Sequence, residues 1–209
     1  MAKKKDKSVY YKGMRFFQYK MVKLITTILI ILALSTSVLF AIKWSLKTFV
    51  YKMPYREEVL LLCDKYGINP LYVYSVIKVE SSFNEKAKSQ ADAKGLMQLT
   101  DKTAKFIARR LNIKDYDIFD AKTNLTFGVY YLSYLKEKFK VLDTVTCAYN
   151  AGEGNVIKWL KNKEYSKDGK TLNKVPFKET RGYREKIKKT FAKYEKLYGN
   201  ILDKSKNFE

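Results

Sequence analysis

From Leu24 to Ile42 the chain runs for 19 residues without a charge, LITTILIILALSTSVLFAI. No other feature limits its folding as strongly. In hydrocarbon every backbone N–H and C=O must find its partner within the chain, which confines such a stretch to a helix. At about 1.5 Å per residue it is long enough to cross a hydrocarbon layer of about 30 Å. Its flanks differ. Lys3, Lys4, Lys5, Lys7, Lys12, Arg15, Lys20 and Lys23 precede it, offset only by Asp6, whereas Lys43, Lys47, Lys52 and Arg56 follow more sparsely. The positive-inside bias predicts a basic cytoplasmic segment (1–23), a single transmembrane helix (24–42) and an extracytoplasmic remainder. A cleaved signal peptide would have a shorter apolar core and a small-x-small cleavage site, which Leu39-Phe40-Ala41 does not supply. Residues 43–54 read as a basic, aromatic tether whose Trp44 and Tyr51 suit the outer interface.

Charge and composition narrow the chemistry of the rest. The 209 residues carry 42 Lys and Arg against 21 Asp and Glu, a formal charge of +21. Such a surface favours an anionic partner without naming it. Nucleic acid is not favoured. No nucleic-acid motif is present, and the basic N-terminal block belongs on the cytoplasmic side, away from the folded domain. There is no histidine, so a His-based triad and an imidazole metal site are both excluded. Cys63 and Cys147 are too few for a structural zinc site. Both lie in apolar helical surroundings and read first as small buried hydrophobes, with a disulfide left open. The groups left for chemistry are carboxylates, tyrosines, lysines and two thiols; no metal or organic cofactor is implied.

Beyond the tether the pattern is helical throughout. Tyr55–Tyr66 is an amphipathic helix stopped by Gly67, and Asn69-Pro70 restarts the chain with a capping side chain and a proline at the first helical position. The next helix runs from Pro70 to about Ser81. Residues 82–94 are polar and punctuated. Thr100 caps a helix over 101–111, and Leu125, Val129, Leu132, Leu135 and Phe139 mark a long one over about 121–140. Shorter helices at 143–150 and 154–161 flank Gly152. A polar insert covers 165–174, a closing helix spans 180–198, and a polar tail occupies 199–209. No strand alternation stands out. Residues 55–198 are thus expected to form one all-α domain, large enough to bury a core.

Within that domain Glu80 is the residue with chemical potential. Leu71, Tyr74, Ile77 and Glu80 fall every three residues on one side of their helix, so the carboxyl continues an apolar face. Desolvation there disfavours the charged form, and a carboxyl protonated near neutral pH is what general-acid cleavage of a glycosidic bond needs. A surface carboxylate at a helix end is the plainer reading of the same residue.

Four blocks decide between these readings. They are Tyr66-Gly67-Ile68-Asn69-Pro70-Leu71 with Glu80-Ser81-Ser82-Phe83-Asn84; Ser89 with Ala93-Lys94-Gly95-Leu96-Met97-Gln98-Leu99; Ala148-Tyr149-Asn150-Ala151-Gly152; and Glu179-Thr180-Arg181-Gly182-Tyr183. In this order they resemble the catalytic domain of the soluble lytic transglycosylases, the SLT domain of the lysozyme-like superfamily. The resemblance covers Tyr66 to Tyr198, about two thirds of the chain. It implies an all-α, lysozyme-like domain of the SLT and goose-lysozyme type, which the transmembrane helix read from the uncharged run would precede. It implies Glu80 as sole catalytic acid and base, with Ser89, Met97, Gln98, Tyr149, Asn150, Glu179 and Tyr183 lining a glycan groove. The implied reaction cuts the β-1,4 bond between N-acetylmuramic acid and N-acetylglucosamine without water, leaving a 1,6-anhydro end. The implied partners are peptidoglycan strands, the membrane, and a secretion or division complex that spans the wall.

The resemblance has two departures. Asp92 stands where the family usually has glycine, and Thr100-Asp101 replaces its usual Met-Pro. Both place extra carboxylates near the expected groove. A carboxylate there could position water and permit hydrolysis, as in a muramidase on the same fold. A glycan-binding scaffold without turnover is the remaining alternative. For Tyr149 and Tyr183, packing in the core and stacking on sugar are both open.

Overall fold

A computed structural model describes residues 3–205. Residues 1–2 of the basic segment and 206–209 of the tail lie outside the described residues. The chain divides into two units at Lys52 and Met53.

The first unit is dominated by α1 (Lys3–Ser45), a continuous helix of 43 residues. The basic segment and the apolar run therefore share one helix, and the helix itself marks no boundary between them. The stretch Met14–Val50 is long and apolar enough to cross a membrane, and none of its apolar window is buried in protein. Ile28, Leu29, Leu32, Leu34 and Phe40 are all exposed. A core helix of a water-soluble domain would be covered on this face, so α1 is not one. The hydroxyls inside the run turn back on their own helix. Thr26 and Thr27 donate to the Lys23 carbonyl at 2.9 and 2.8 Å, and Ser37 donates to that of Ala33 at 2.8 Å. Each polar side chain is thereby satisfied without water. Of the 43–54 tether, the first three residues belong to α1 and a single wide helical turn follows at Leu46–Val50.

The second unit is helical among its described residues: α2 (Arg56–Tyr66), α3 (Pro70–Glu80), α4 (Asp101–Leu111), α5 (Ala121–Phe139), α6 (Leu142–Ala151), α7 (Glu153–Lys161) and α8 (Lys178–Ser205). The capping residues act as their types dictate. Asn69 accepts from the Leu71 N–H at 2.8 Å with Pro70 at the head of α3, Thr100 accepts from Thr103 at 3.3 Å, and Asp120 accepts from Thr123 at 2.8 Å. One boundary differs from expectation. The closing helix was expected to end at Tyr198, yet α8 continues to Ser205. One glycine inside a helix costs only about 1 kcal/mol, and no proline follows to end it.

α3 is the buried centre of this unit. Every residue from Leu71 to Ile77 is buried, and the helix packs on α8 along its length. Tyr74 has its ring between Phe83 and Tyr194, at centroid distances of 6.4 and 5.9 Å. α5 packs on α2, α4 and α6, so α3 and α5 carry the two sides of the core. Such burial is the main stabilising term, at about 25 cal/mol per Å² of apolar surface.

Between α3 and α4 the chain winds through residues 81–100 without regular structure. Isolated bridges join Lys88 to Lys94 and Lys94 to Leu99. The buried Asn124 of α5 holds this loop. Its Oδ1 accepts from the Met97 N–H at 2.7 Å, and its Nδ2 donates to the carbonyls of Lys94 (3.0 Å) and Ile118 (2.8 Å). Gly95 lies against it at φ 76°, where an added Cβ would stand 2.2 Å from Asn124 Nδ2. Both the backbone angle and the space exclude a side chain. On the next turn of α5 a Cβ on Gly128 would lie 2.2 Å from Met97 Sδ.

Candidate active site

Glu80 is the last residue of α3, half-buried at the point where the buried helix meets the loop. The Tyr183 hydroxyl, from α8, donates to Glu80 Oε1 at 2.6 Å. Tyr149 from α6 and Tyr72 from α3 are close enough for the carboxylate's charge to act on their hydroxyls. Burial pushes the Glu80 carboxyl up from 4.5 to about 7, the Tyr183 hydrogen bond opposes that rise, and the charge of Glu179 adds to it. Near neutral pH the group is therefore divided between acid and carboxylate. It can both give and take a proton, as one group serving two successive steps requires. Tyr183 and Tyr149 are held well above the ordinary phenol value by desolvation and then by Glu80's charge, so both stay neutral hydroxyl donors.

A second set of contacts fixes these groups in place. Tyr149 donates to the Met97 carbonyl at 2.8 Å, and Met97 in turn hangs from Asn124. Ser81 donates to the Leu96 carbonyl at 2.8 Å and so fastens the end of α3 to the loop. Thr180 donates to Asn150 Oδ1 at 2.7 Å, joining the end of α6 to the first turn of α8, where Glu179 is exposed. Tyr72 bonds Thr146 at 2.8 Å and closes α3 onto α6.

Of the residues expected in the groove, Tyr183 bonds Glu80, Tyr149 and Glu179 are near enough to interact with its charge, and Asn150 is held by Thr180, the neighbour of Glu179. The others have different positions. Met97 was expected as groove wall, yet its side chain is fully buried against Gly128, and its carbonyl is what bonds Tyr149. Gln98, at φ 49°, donates from Nε2 to the carbonyls of Ala87 (3.1 Å) and Gly95 (3.0 Å). Ser89 is exposed, and its Oγ accepts from the Ala93 N–H at 3.1 Å. In these contacts Gln98 and Ser89 shape the loop. Tyr72, Thr180 and Asn124 were not singled out from the sequence. Tyr72 is hidden within a run of core residues. Asn124 had a visible signal, a polar residue beside the apolar stripe of α5.

The extra acids of the loop are engaged. Lys94 lies 3.2 Å from Asp92 and 2.7 Å from Asp101, while Lys88 adds a 2.8 Å contact to Asp92. Those hydrogen bonds from Lys88 and Lys94 hold the Asp92 carboxyl below the usual carboxylate range. Cys63 and Cys147 are free, buried thiols, each pushed up to about 12 chiefly by burial. They are inert as nucleophiles at neutral pH. Among the described residues no group of three His, Cys, Asp or Glu side chains could hold a metal ion.

The all-helical domain has a lysozyme-like fold. Residues 62–172, more than half of the chain, match the family described as the transglycosylase SLT domain, and the chain belongs to that family. The match stops short of Glu179 and Tyr183, which stand here on their geometry. The soluble lytic murein transglycosylase of Salmonella typhimurium is 33% identical over 143 residues, covering 65% of this chain and 21% of that protein. The chain thus spans about a fifth of that relative's length. The membrane-bound lytic murein transglycosylase E of Buchnera aphidicola is 36% identical over 90 residues, 41% of each chain. The crystal structure of the 70 kDa soluble lytic transglycosylase of Escherichia coli superposes with a TM-score of 0.63 at 29% identity, over 71% of this chain and 25% of that one.

Proposed function

We propose that this protein is a membrane-anchored lytic transglycosylase acting on peptidoglycan. The observation that carries the reading is the Glu80 carboxyl, raised to about 7 and held by the Tyr183 hydroxyl at 2.6 Å. Protonated Glu80 gives its proton to the oxygen bridging N-acetylmuramic acid and N-acetylglucosamine as the bond breaks. The substrate's own acetamido oxygen stabilises the positive charge that develops at the sugar carbon. Glu80, now a carboxylate, takes the proton from the C6 hydroxyl of the same muramyl residue. That oxygen closes on the anomeric carbon and the 1,6-anhydro ring forms, with no water consumed. Tyr183 steadies the carboxylate between the two transfers. Tyr149, Asn150 and Glu179 form the walls that orient the strand, and Ser89, Met97 and Gln98 support it from the loop.

The hydrolytic alternative needs a second carboxylate that orients water. Asp92 and Asp101 are the added candidates, and both are occupied by Lys94. A scaffold without turnover would have no need of a carboxyl poised near 7. α1 is read as a single-pass anchor with its N-terminus in the cytoplasm, on the lysine-rich flank before Leu24. This puts the domain on the wall side, where a secretion or division complex would require local opening of the strands.

Mass spectrometry of the products released from purified peptidoglycan decides the reaction. The expected muropeptides are lighter by one water than hydrolytic ones and carry no reducing end. Glu80→Gln should lower their release by at least about a hundredfold. Reducing-end products from the unaltered protein would instead assign a muramidase, and bound but uncut glycan would assign a scaffold.

A further inference from the structure

Past Tyr183, α8 presents a row of lysines on its outer side. Tyr183, Ile187 and Tyr194 are buried and form its inner side. Lys186, Lys189, Lys193 and Lys196 recur at i, i+3, i+7 and i+10, which sets them in one stripe about 15 Å long. All four are exposed. Among the described residues none of them has a salt-bridge partner. The acids of this stretch do not neutralise the stripe. Glu185 lies 3.7 Å from Arg184 and makes no salt bridge to a lysine. At about 100° per residue, Glu195 falls at least about 100° round the helix from each of the four.

The stripe runs toward the end of the domain at which the chain enters. The Tyr74 hydroxyl donates to the Pro54 carbonyl at 3.0 Å. The ring of the same Tyr74 lies 5.9 Å from that of Tyr194, which stacks on Tyr198 at 5.9 Å. The charge of Arg56, at the head of α2, acts on the Tyr198 hydroxyl. Pro54, Arg56 and the 194–198 turn of α8 therefore share one end of the second unit. Residues 43–53 join the uncharged run to Pro54, and 43–45 and 46–50 are helical. At about 1.5 Å per helical residue and about 3.5 Å per extended one, this join spans about 20 Å. Whatever the orientation of the two units, so short a join keeps the Pro54 end of the domain close to any bilayer that holds the run.

We propose that the stripe from Lys186 to Lys196 docks the domain on anionic lipid headgroups of the bilayer that α1 spans. The proposal rests on the reading of α1 as an anchor. Three observations select a lipid surface over another polyanion. The join keeps this end of the domain near the headgroups at all times, so docking needs no encounter from solution. Ammonium groups about 5 Å apart along a straight helix match a plane of phosphates and need no pocket. No exposed aromatic residue interleaves with the lysines, so the stripe offers nothing for nucleic-acid bases to stack on. Docking lays α8 along the surface. Tyr183, one turn before Lys186, bonds Glu80, so the same contact holds the candidate site at a fixed height and confines cutting to strands next to the membrane.

Energy transfer in vesicles tests the assignment. The full chain carries a donor dye on Ala192→Cys, an exposed position of α8, and the lipid headgroups carry the acceptor. Cys63 and Cys147 are buried thiols pushed up to about 12 and stay unlabelled. Vesicles of phosphatidylcholine alone are compared with vesicles that also contain phosphatidylglycerol. Each lysine beside an anionic surface shifts the docked-to-free ratio about fivefold, so transfer should rise with phosphatidylglycerol and fall back as salt is raised. Lys189→Gln, Lys193→Gln and Lys196→Gln together should lower that ratio about a hundredfold and abolish the rise, with an unchanged melting curve. The same change at Lys158, Lys161 and Lys163 should preserve the rise. Equal transfer in both kinds of vesicle overturns the proposal. So does an equal loss in the two triple variants, which would leave net charge and not this face as the cause. Transfer indifferent to lipid charge, with poly(glycerol phosphate) bound by the parent and not by the α8 variant, would reassign the stripe to a wall polymer. Failure of the anchor reading shows separately: the chain would then leave phosphatidylcholine vesicles in an alkaline wash, whatever the transfer comparison gives.

Discussion

Glu80 and Asp92 are both side-chain carboxyls, one immediately before the 81–100 loop and the other within it, and the fold treats them in opposite ways. Glu80 ends a buried helix, meets a neutral phenol and is pushed up to about 7. Asp92 sits on an exposed turn at φ 59° between two lysines, which hold its carboxyl below the ordinary range. The neighbours, and not the chemical group, decide which one carries a proton near neutral pH. Desolvation with a neutral donor favours the acid, and cations in water favour the carboxylate. The comparison also explains how an extra acid can stand near the groove without becoming a second catalytic group: Lys94 takes up Asp92 and Asp101 together.

The largest effect on this contrast is expected at the post that holds the loop in place. Asn124→Ala removes three hydrogen bonds from one buried side chain and leaves the Met97 N–H, among others, without its partner. A loss of about 3 kcal/mol is expected, read as a lowered denaturation midpoint followed through Trp159 fluorescence. An unchanged midpoint would mean that the loop stands without this anchor.

Next comes the helix end itself. An acid whose folded pKa lies above its unfolded value costs stability only where the unfolded group ionises. For Glu80 that cost is absent below about 4.5, grows from there to about 7 and is complete above. Glu80→Gln should therefore stabilise the protein at pH 8, by on the order of 2 kcal/mol, and leave it unchanged at pH 4. Melting curves at the two pH values check the sign; destabilisation at pH 8 would show that the carboxylate is welcome in its site.

Tyr183→Phe sharpens the comparison further. The lost hydrogen bond favours the carboxylate, so its removal should raise the Glu80 pKa by about one unit. A titration of the Glu80 carboxyl carbon by NMR reads this directly, and the alkaline limb of activity should move with it. A fall in the pKa would contradict the donor role assigned to Tyr183. The smallest effect is expected from Asp92→Asn. On an exposed turn it should change neither the melting temperature nor the chemistry of the products. Loss of hydrolytic products on this change would reveal a catalytic water that Asp92 holds.

The fold was largely legible because its signals are local. Asn69-Pro70, Thr100 and Asp120 announce helix starts through groups that act within three residues. The uncharged run forms a helix, as backbone satisfaction in hydrocarbon demands. The closing helix outruns its expected end at Tyr198 because the preference of one glycine, Gly199, is weaker than the continuation of a long amphipathic helix. Met97 shows the limit for side chains. Its neighbours in sequence suggest a groove, but the absence of a Cβ at Gly128, on another helix, opens the space that buries it.

The sequence by itself determined the all-helical class, the apolar segment, the absence of imidazole chemistry and the placing of Glu80 on an apolar face. Each of these follows from residue type and short spacing. Only the tertiary structure decided that the Tyr183 hydroxyl, 103 positions away, reaches Glu80, that Lys94 occupies both added aspartates, and that the Tyr131 ring packs against that of Tyr149. Those are distances between side chains on different elements, set by how α3, α5, α6 and α8 pack, and a linear spacing does not contain them.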